Sequence, residues 1–134
     1  MLDVGTGTGI LAIAAVKLGA VSGRGIDIDP LAVTAAKENA SLNGVADALT
    51  IDGAPIQRVS ELYELVVANI LMGPLIELAE PIARRVADGG AILLSGLLVE
   101  QAAEVSEAYA TLGFERTRQL DLGDWSALVL MKTP

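Results

Sequence analysis

The sequence predicts an α/β fold: a seven-stranded, mostly parallel sheet with helices on both faces and an antiparallel hairpin at the C-terminal end. Short apolar segments alternate with helix-like segments along most of the chain, which is typical of parallel strands joined by crossover helices. The last two apolar segments are separated only by Asp121–Trp125, which is too short for a crossover helix, so these strands should pair antiparallel. Hydrophobic residues make up 52% of the chain, as a sheet covered by helices requires.

The elements of the first half are bounded by residues that start or stop regular structure. An apolar segment that runs directly into glycines is typical of a buried strand, and Asp29 with Pro30 is typical of a helix start, because Asp caps the first turn and Pro needs no partner there. Asn43-Gly44 supplies the left-handed end of that helix. In order, the predicted elements are a strand at Met1–Val4, a helix at Ile10–Leu18, a strand at Gly25–Ile28, a helix from Asp29-Pro30 to about Leu42 and a strand at Leu49–Ile51.

The second half continues the alternation and ends in the hairpin. One helix is indicated by Leu75, Leu78 and Ile82 on a single face and is predicted to end at Gly89-Gly90, and the next is closed by Gly113. In order, the predicted elements are a strand at Leu65–Ala68, a helix at Pro74–Val86, a strand at Ala91–Ser95, a helix at Glu100–Leu112 and strands at Phe114–Leu120 and Ser126–Met131.

Composition excludes several classes of site and partner. The chain has no cysteine and no histidine, so neither a disulfide framework nor a thiolate or imidazole metal site is expected, and no metal is predicted. No apolar stretch is long enough to span a bilayer and no secretory signal is evident, so we expect a cytoplasmic protein without membrane contact. The net charge of −8 should repel a phosphate backbone, so no direct nucleic-acid binding is predicted. That charge either keeps the protein soluble or suits a basic protein substrate.

The glycine loop Gly5–Gly9 is the first candidate site. A loop of alternating glycines between a strand and a helix brings backbone N–H groups and the positive end of the helix together, which favours a carboxylate or a phosphate. Glycines also let a ligand approach the backbone closely. From Gly7 to Ala12 the segment equally fits a dinucleotide fingerprint, and a turn without a ligand is a further possibility.

Asp27 indicates that the ligand of this loop contains an adenosine. It lies 20 residues after Gly7 at the end of the second predicted strand, where a carboxylate can accept hydrogen bonds from both hydroxyls of a ribose. Asp29 already provides the helix cap, so Asp27 has no evident capping task. Asp3 stands just before the loop, where it would repel a pyrophosphate but suits the ammonium and the sulfonium of S-adenosylmethionine. The C-terminal hairpin is also foreign to the usual dinucleotide fold, so S-adenosylmethionine is the predicted cofactor.

Several stretches resemble a known family. Leu2–Ala12 is similar to the first motif of class I methyltransferases, which have a Rossmann-like fold. Within that class the chain resembles, over essentially its whole length, the PrmA-type enzymes that methylate the eleventh protein of the large ribosomal subunit. The stretches that carry the resemblance are Gly25–Pro30, Ala68–Leu75, Leu94–Gly96 and Gly123–Trp125.

The resemblance implies an S-adenosylmethionine-dependent N-methyltransferase that modifies lysine or N-terminal amines of that ribosomal protein. Asn69 would lie where the methyl group and the incoming amine meet, and it is the predicted catalytic residue. The predicted cofactor contacts are Asp3, Gly5, Thr6, Gly7, Gly9, Asp27, Ile28, Asp52 and Asn69. Asp52-Gly53 follows the third strand and would contact the adenine amino group, although a plain turn residue is an equal alternative.

The chemistry of Asn69 agrees with this implication. Its carbonyl oxygen can accept hydrogens from an amine and orient the lone pair, and methyl transfer to a neutral amine needs positioning more than a strong base. Asn is also common at strand ends for local reasons, which is the structural alternative. Ile70–Met72 follow without an aromatic residue, so no stacking surface for a nucleobase is expected there.

The resemblance also predicts a domain boundary. Residues 1–134 correspond to the methyltransferase catalytic domain, and the family's N-terminal substrate-recognition domain, with a Gly-Thr-Gly-x-His-x-Thr-Thr segment before the first strand, is not in this sequence. We therefore expect the chain to bind the cofactor weakly at most and not to select the ribosomal substrate by itself. A non-catalytic or incomplete S-adenosylmethionine-binding module remains the alternative function.

Overall fold

The computed structural model describes residues 1–134, which form two compact units, Met1–Val59 and Ser60–Pro134. The predicted class is confirmed: the chain is an α/β protein with a seven-stranded mixed sheet, parallel except for the antiparallel C-terminal strands. No helix is both long enough and apolar enough to cross a bilayer.

The first unit is a three-stranded parallel arrangement in the order β3-β2-β1 with two helices. The Asp29 carboxylate accepts a hydrogen bond from the Leu31 amide at 2.9 Å and Pro30 stands in the first turn, so the predicted start of the second helix is correct. Aliphatic side chains from both helices and from β3 form the core. The elements are β1 (Leu2–Val4), α1 (Ile10–Lys17), β2 (Gly23–Ile26), α2 (Pro30–Leu42) and β3 (Leu49–Asp52).

The second unit has four strands in the order β4-β5-β7-β6, with β4 and β5 parallel and the other pairs antiparallel. The Tyr109 hydroxyl is buried and donates to the Leu75 carbonyl at 2.9 Å, which fixes the last helix against the first helix of this unit. The elements are β4 (Tyr63–Asn69), α3 (Met72–Glu77), α4 (Ala79–Ala83), β5 (Val86–Leu98), α5 (Ala102–Ala110), β6 (Phe114–Leu122) and β7 (Trp125–Lys132).

The single helix predicted over Pro74–Val86 is wrong. Two short helices replace it, with Leu78 between them, and Val86 already belongs to β5. Proline lacks the N–H that an interior helical position needs, but it is tolerated in a first turn. Because Pro81 stands in the first turn of α4, it marks the start of a new helix rather than the continuation of α3.

Several strand boundaries also differ from the prediction, and those of β2 and β5 bear on a predicted site residue and on a predicted helix end. β2 ends at Ile26, so Asp27 and Ile28 lie just past the strand and not within it. β5 begins at Val86, ahead of the predicted Ala91, and the two glycines predicted to end a helix lie inside it. Gly89 has φ +73 where the pairing with β4 shifts register, which is typical of a bulge.

Candidate functional site

The glycine loop follows β1 and is fastened to the end of β2. The amides of Gly5 and Thr6 both donate to the Ile26 carbonyl, each at 2.9 Å. Gly5, Gly7 and Gly9 have φ values of +71, +57 and +84, which other residues adopt only at a cost. A side chain on Gly7 would meet nothing within 4 Å, so the loop backbone is open to a ligand at this point.

Asp27 connects this loop with the start of α2. Its Oδ2 accepts a hydrogen bond from the Gly7 amide at 2.9 Å, and its Oδ1 accepts one from the Asp29 amide at 3.0 Å. Each carboxylate oxygen can accept more than one hydrogen bond, so Asp27 retains capacity for a ligand's hydroxyl groups. The side chain is half-buried beside the open Gly7 backbone, which suits a sugar placed against the loop.

Asp3 lies underneath the loop. It is 1% exposed, and its Oδ2 accepts a hydrogen bond from the buried Thr6 hydroxyl at 2.8 Å. Burial raises the pKa of the Asp3 carboxyl, while hydrogen bonds from Thr6 and the Ala12 amide partly oppose that rise. A Cβ atom on Gly25 would come within 2.9 Å of the Thr6 hydroxyl oxygen, so the glycine in β2 makes room for this contact. Asp3 therefore supports the loop from below.

Asp52 has partners that the sequence did not reveal. Its Oδ2 accepts from Arg24 Nε at 2.9 Å and its Oδ1 from Arg24 Nη2 at 3.2 Å, which links β3 to β2. Its Oδ1 also accepts from the Ala54 amide at 2.9 Å. Burial raises the pKa of the Asp52 carboxyl, but the hydrogen bonds from Arg24 and Ala54 and the positive charge nearby outweigh it, so the pKa lies below its usual value. The adenine contact expected of Asp52 stays a prediction.

Ile28 follows Asp27 and is 83% exposed. Ile28 is predicted as a cofactor contact, and an apolar side chain this exposed is available to pack against a flat ligand. The backbone amide of Asp27 donates to the Asp52 carbonyl at 3.2 Å, so the ends of β2 and β3 are held together next to Ile28. The first unit thus brings together Asp3, Gly5, Thr6, Gly7, Gly9, Asp27, Ile28 and Asp52 at the carboxyl ends of its strands.

Asn69 belongs to the second unit, where it ends β4 opposite Ser95 of β5. Its side chain is exposed and makes no hydrogen bond within the chain. A Cβ atom on Gly96 would lie 2.7 Å from Asn69 Oδ1 and 2.7 Å from the Ile70 carbonyl oxygen, closer than atoms can approach. Gly96 has φ +82 at a register shift between β5 and β7, so this bulge leaves space for the end of β4.

A cavity of about 550 Å³ opens beside Asn69. Half of its lining residues belong to the β6–β7 hairpin, whose contribution the sequence did not predict. The only sequence signal was the Gly123–Trp125 stretch of the family resemblance. The lining residues are Asn69, Ile70, Leu71, Ser95, Gly96, Leu120, Leu122, Trp125, Ser126 and Ala127. The described chain contains no group of three or more acidic side chains that could hold a metal ion.

Comparison with known proteins assigns a family. Residues 1–133 match the family model described as ribosomal protein L11 methyltransferase (PrmA). The chain is 41% identical over 134 residues to the ribosomal protein L11 methyltransferase of Trichlorobacter lovleyi, covering 100% of this chain and 44% of the relative. It is 49% identical over 128 residues to that of Shewanella woodyi, covering 96% of this chain and 43% of the relative. The chain thus spans less than half the length of these curated relatives.

A solved structure gives the same result. The ribosomal protein L11 methylase of Lactobacillus delbrueckii subsp. bulgaricus superimposes with a TM-score of 0.93 at 35% identity, covering 99% of this chain and 69% of that one. The matched region includes both the glycine loop and the strand that ends in Asn69. The chain therefore belongs to the ribosomal protein L11 methyltransferase family.

Proposed function

We propose that residues 1–134 are the catalytic domain of an S-adenosylmethionine-dependent methyltransferase that modifies lysine or N-terminal amines of ribosomal protein L11. The family membership supports the type of reaction and the protein substrate. The observation that carries the proposal is the open glycine loop held by the Asp27 carboxylate through the Gly7 amide. This hydrogen bond places the Asp27 carboxylate, which can accept hydrogen bonds from hydroxyl groups, beside the open backbone at Gly7.

The residues of the first unit fit the cofactor. Asp27 would bind the ribose hydroxyls, Ile28 would pack against the adenine, and the loop backbone would lie against the methionine part. S-adenosylmethionine supplies an electrophilic methyl group on a positively charged sulfur. The buried carboxylate of Asp3 beneath the loop provides a negative charge that favours a cationic ligand over a pyrophosphate.

Asn69 would position the acceptor. Its amide oxygen is not engaged within the chain and can accept hydrogens of an incoming neutral amine. Holding the nitrogen in line with the methyl group lowers the entropic part of the barrier, which is the main requirement of such a displacement. The methylated amine then loses its proton to solvent, and Asn69 itself neither gains nor loses one.

The proposal is tested with labelled S-adenosylmethionine and purified ribosomal protein L11. At high concentrations of the chain and of S-adenosylmethionine we expect slow transfer of label, in keeping with the weak cofactor binding expected from the sequence. Asn69→Ala should lose at least about tenfold in kcat while its affinity for S-adenosylhomocysteine stays within about twofold, since the residue acts on the acceptor. Asn43→Ala, an exposed Asn at the end of α2, is the matched control and should keep full activity.

Two results would reverse the proposal. Tight S-adenosylhomocysteine binding without any transfer to ribosomal protein L11 would favour the non-catalytic binding module instead. Binding of NAD in preference to S-adenosylhomocysteine would exclude a methyltransferase. Cytoplasmic location is part of the same proposal, and fractionation of cells that express the chain checks it.

A further inference from the structure

The peptide group between Thr8 and Gly9 in the glycine loop is held on both sides. Its carbonyl oxygen accepts a hydrogen bond from Asn39 Nδ2 at 2.9 Å, and its N–H donates to the Thr6 carbonyl at 2.8 Å. Gly9 has φ +84, and glycine adopts positive and negative φ about equally well. The backbone preference of Gly9 therefore does not fix the orientation of this peptide group, and the two hydrogen bonds do.

Asn39 reaches the loop from α2. Asparagine is a poor residue inside a helix, because its side chain competes for nearby backbone groups. Asn43 shows that local behaviour, since its side chain donates to the Asn39 carbonyl four residues earlier, at 2.8 Å. The side chain of Asn39 is half-buried and donates instead to Thr8, 31 residues away. The helix itself gains nothing from an asparagine at this position, so the residue type points to the loop.

The face of α2 that carries Asn39 also packs against the loop. Ala36 is fully buried and lies three residues before Asn39, so the two share one side of the helix. A Cβ atom on Gly9 would lie 3.2 Å from Ala36 Cβ and 3.3 Å from Ala36 Cα. This close approach at Gly9 brings α2 near enough for a side chain as short as asparagine to reach the Thr8 carbonyl.

We propose that Asn39 is a positioning residue for the cofactor: it holds the Thr8 carbonyl towards α2 and so keeps the glycine loop in the conformation that receives the methionine part of S-adenosylmethionine. This inference rests on the proposed function, because it concerns the same ligand. Without Asn39 the peptide group can turn at Gly9 and direct its carbonyl oxygen at the ligand's carboxylate, which it repels. Ordering the loop on binding then costs free energy that the parent chain does not spend.

The first test measures affinity by NMR titration with S-adenosylhomocysteine, which also works for a weakly bound ligand. We expect Asn39→Ala to lower the affinity about fivefold, the order of magnitude of one net hydrogen bond. Its free energy of unfolding should change little, because alanine is the better helix former and offsets part of the lost hydrogen bond. Chemical unfolding of the same samples measures this.

Asn43→Ala is the matched control. It removes the same kind of hydrogen bond, from a side-chain amide to a backbone carbonyl, at the end of the same helix and away from the loop. We expect this variant to keep the parent's affinity for S-adenosylhomocysteine. Equal affinity in the parent and in Asn39→Ala would overturn the proposal, and so would an equal loss in Asn39→Ala and Asn43→Ala, because a general loosening of α2 would then explain both.

The second test separates the hydrogen bond from the space that the side chain fills. Asn39→Asp keeps the size of the side chain but replaces the donor with a carboxylate oxygen, which cannot donate to the Thr8 carbonyl at neutral pH. We therefore expect Asn39→Asp to bind S-adenosylhomocysteine no better than Asn39→Ala. Recovery of the parent's affinity in Asn39→Asp would show that filling the space is sufficient, and the proposal would be wrong.

The third test observes the loop without a ligand. The Gly9 amide is buried and bonded to the Thr6 carbonyl, so its hydrogen exchange should be slow in the parent and in Asn43→Ala and faster in Asn39→Ala. Exchange at the parent's rate in Asn39→Ala would contradict the proposed mechanism. If the parent binds no S-adenosylhomocysteine, the proposed function fails, and the exchange rates still show whether Asn39 holds the loop. If the parent binds and Asn39→Ala matches it, only the role of Asn39 is wrong.

Discussion

Asp27 is a single residue with two tasks. One is structural, because its carboxylate accepts from the amides of Gly7 and Asp29 and so joins the loop to the start of α2. The other is the proposed contact with ribose. A charged acceptor of this kind contributes more to binding than a neutral one, and the same negative charge orients the loop before any ligand arrives.

Asp3 gives a pH-dependent prediction. Its pKa is raised, chiefly by burial, so its contribution to stability is fully present below the unfolded value of about 4 and is lost as pH rises through the folded pKa. Asp3→Asn removes this loss of stability, because the asparagine side chain does not ionise. Its amide can still accept a hydrogen bond from the Ala12 amide and donate one to the Thr6 hydroxyl oxygen. The variant should therefore melt at a higher temperature than the parent at neutral pH, with the difference shrinking towards pH 4.

Thermal melts at a series of pH values measure this effect, with the exposed Asp47→Asn as the control. The same Asp3→Asn variant should bind S-adenosylmethionine more weakly, because the negative charge beneath the loop is gone. A variant that is less stable at neutral pH would show that the carboxylate contributes more through its hydrogen bonds than burial costs.

At the residue scale, the sequence correctly predicted the helix cap at Asp29. Because that cap left the Asp27 carboxylate without a local task, Asp27 was assigned to a ligand, and this contact stays a prediction. The pairing of Asp52 with Arg24 was not predicted, because the two are separated by 28 residues and meet only through the register of β2 and β3. Trp125 was noticed in the family resemblance, but its exposure beside Asn69 depends on the folding of a hairpin.

The bulge in β5 leaves space for Asn69 at the end of β4. Its need for glycine can be tested by comparing the substitution of Gly96 with that of Gly89. Gly96→Ala should destabilise the chain and reduce methyl transfer, because the new methyl group would collide with Asn69 and the Ile70 carbonyl at a positive φ. Gly89→Ala also places alanine at a positive φ, of +73, but in open space, so it should cost only about 1 kcal/mol and leave transfer unchanged.

Chemical unfolding and transfer assays on both variants check this prediction. A loss of stability in Gly96→Ala no larger than that in Gly89→Ala, together with full activity, would mean that the bulge does not need glycine to accommodate the end of β4.

Element boundaries were less predictable than element order. The alternation of strands and helices was correct because buried strands and helix faces leave strong apolar patterns. The helix predicted over Pro74–Val86 was wrong because the apolar pattern continues through Leu78, whereas the helical backbone is interrupted at that residue. A new helix then begins, with Pro81 in its first turn. The early start of β5 at Val86 depends on its pairing with Tyr63 and on the hydrogen bond that the Lys132 ammonium donates to the Val86 carbonyl, and no local pattern predicts either contact.

For the whole molecule, the net charge of −8 predicts how an acceptor protein is reached. Negative charge attracts a basic protein over a distance of about 10 Å at moderate salt, and added salt screens that attraction. We expect KM for ribosomal protein L11 to rise severalfold from low to high salt, while KM for a short peptide with a single lysine rises much less. Initial rates at a series of NaCl concentrations measure both, and a parallel rise for the two acceptors would contradict electrostatic attraction by the whole surface.

The fold class was predicted from the whole chain because each part of the pattern agreed with the others. The apolar composition, the alternation and the short C-terminal connection all pointed to one sheet with a terminal hairpin, and the structure has it. What composition could not predict was the site in the second unit, since its cavity is built by residues from β4, β5, β6 and β7 that are far apart in the sequence.

The binding of S-adenosylhomocysteine to the Asp27 site tests the central claim most directly. Calorimetric titration of the parent chain, Asp27→Asn and Asp29→Asn, with NAD as the competing ligand, separates a ligand contact from a helix cap. We expect saturable binding to the parent, a loss of about tenfold or more in Asp27→Asn, little change in Asp29→Asn apart from stability, and no competition by NAD. Equal affinity in the parent and in Asp27→Asn, or displacement by NAD, would contradict a methyl-donor site at this loop.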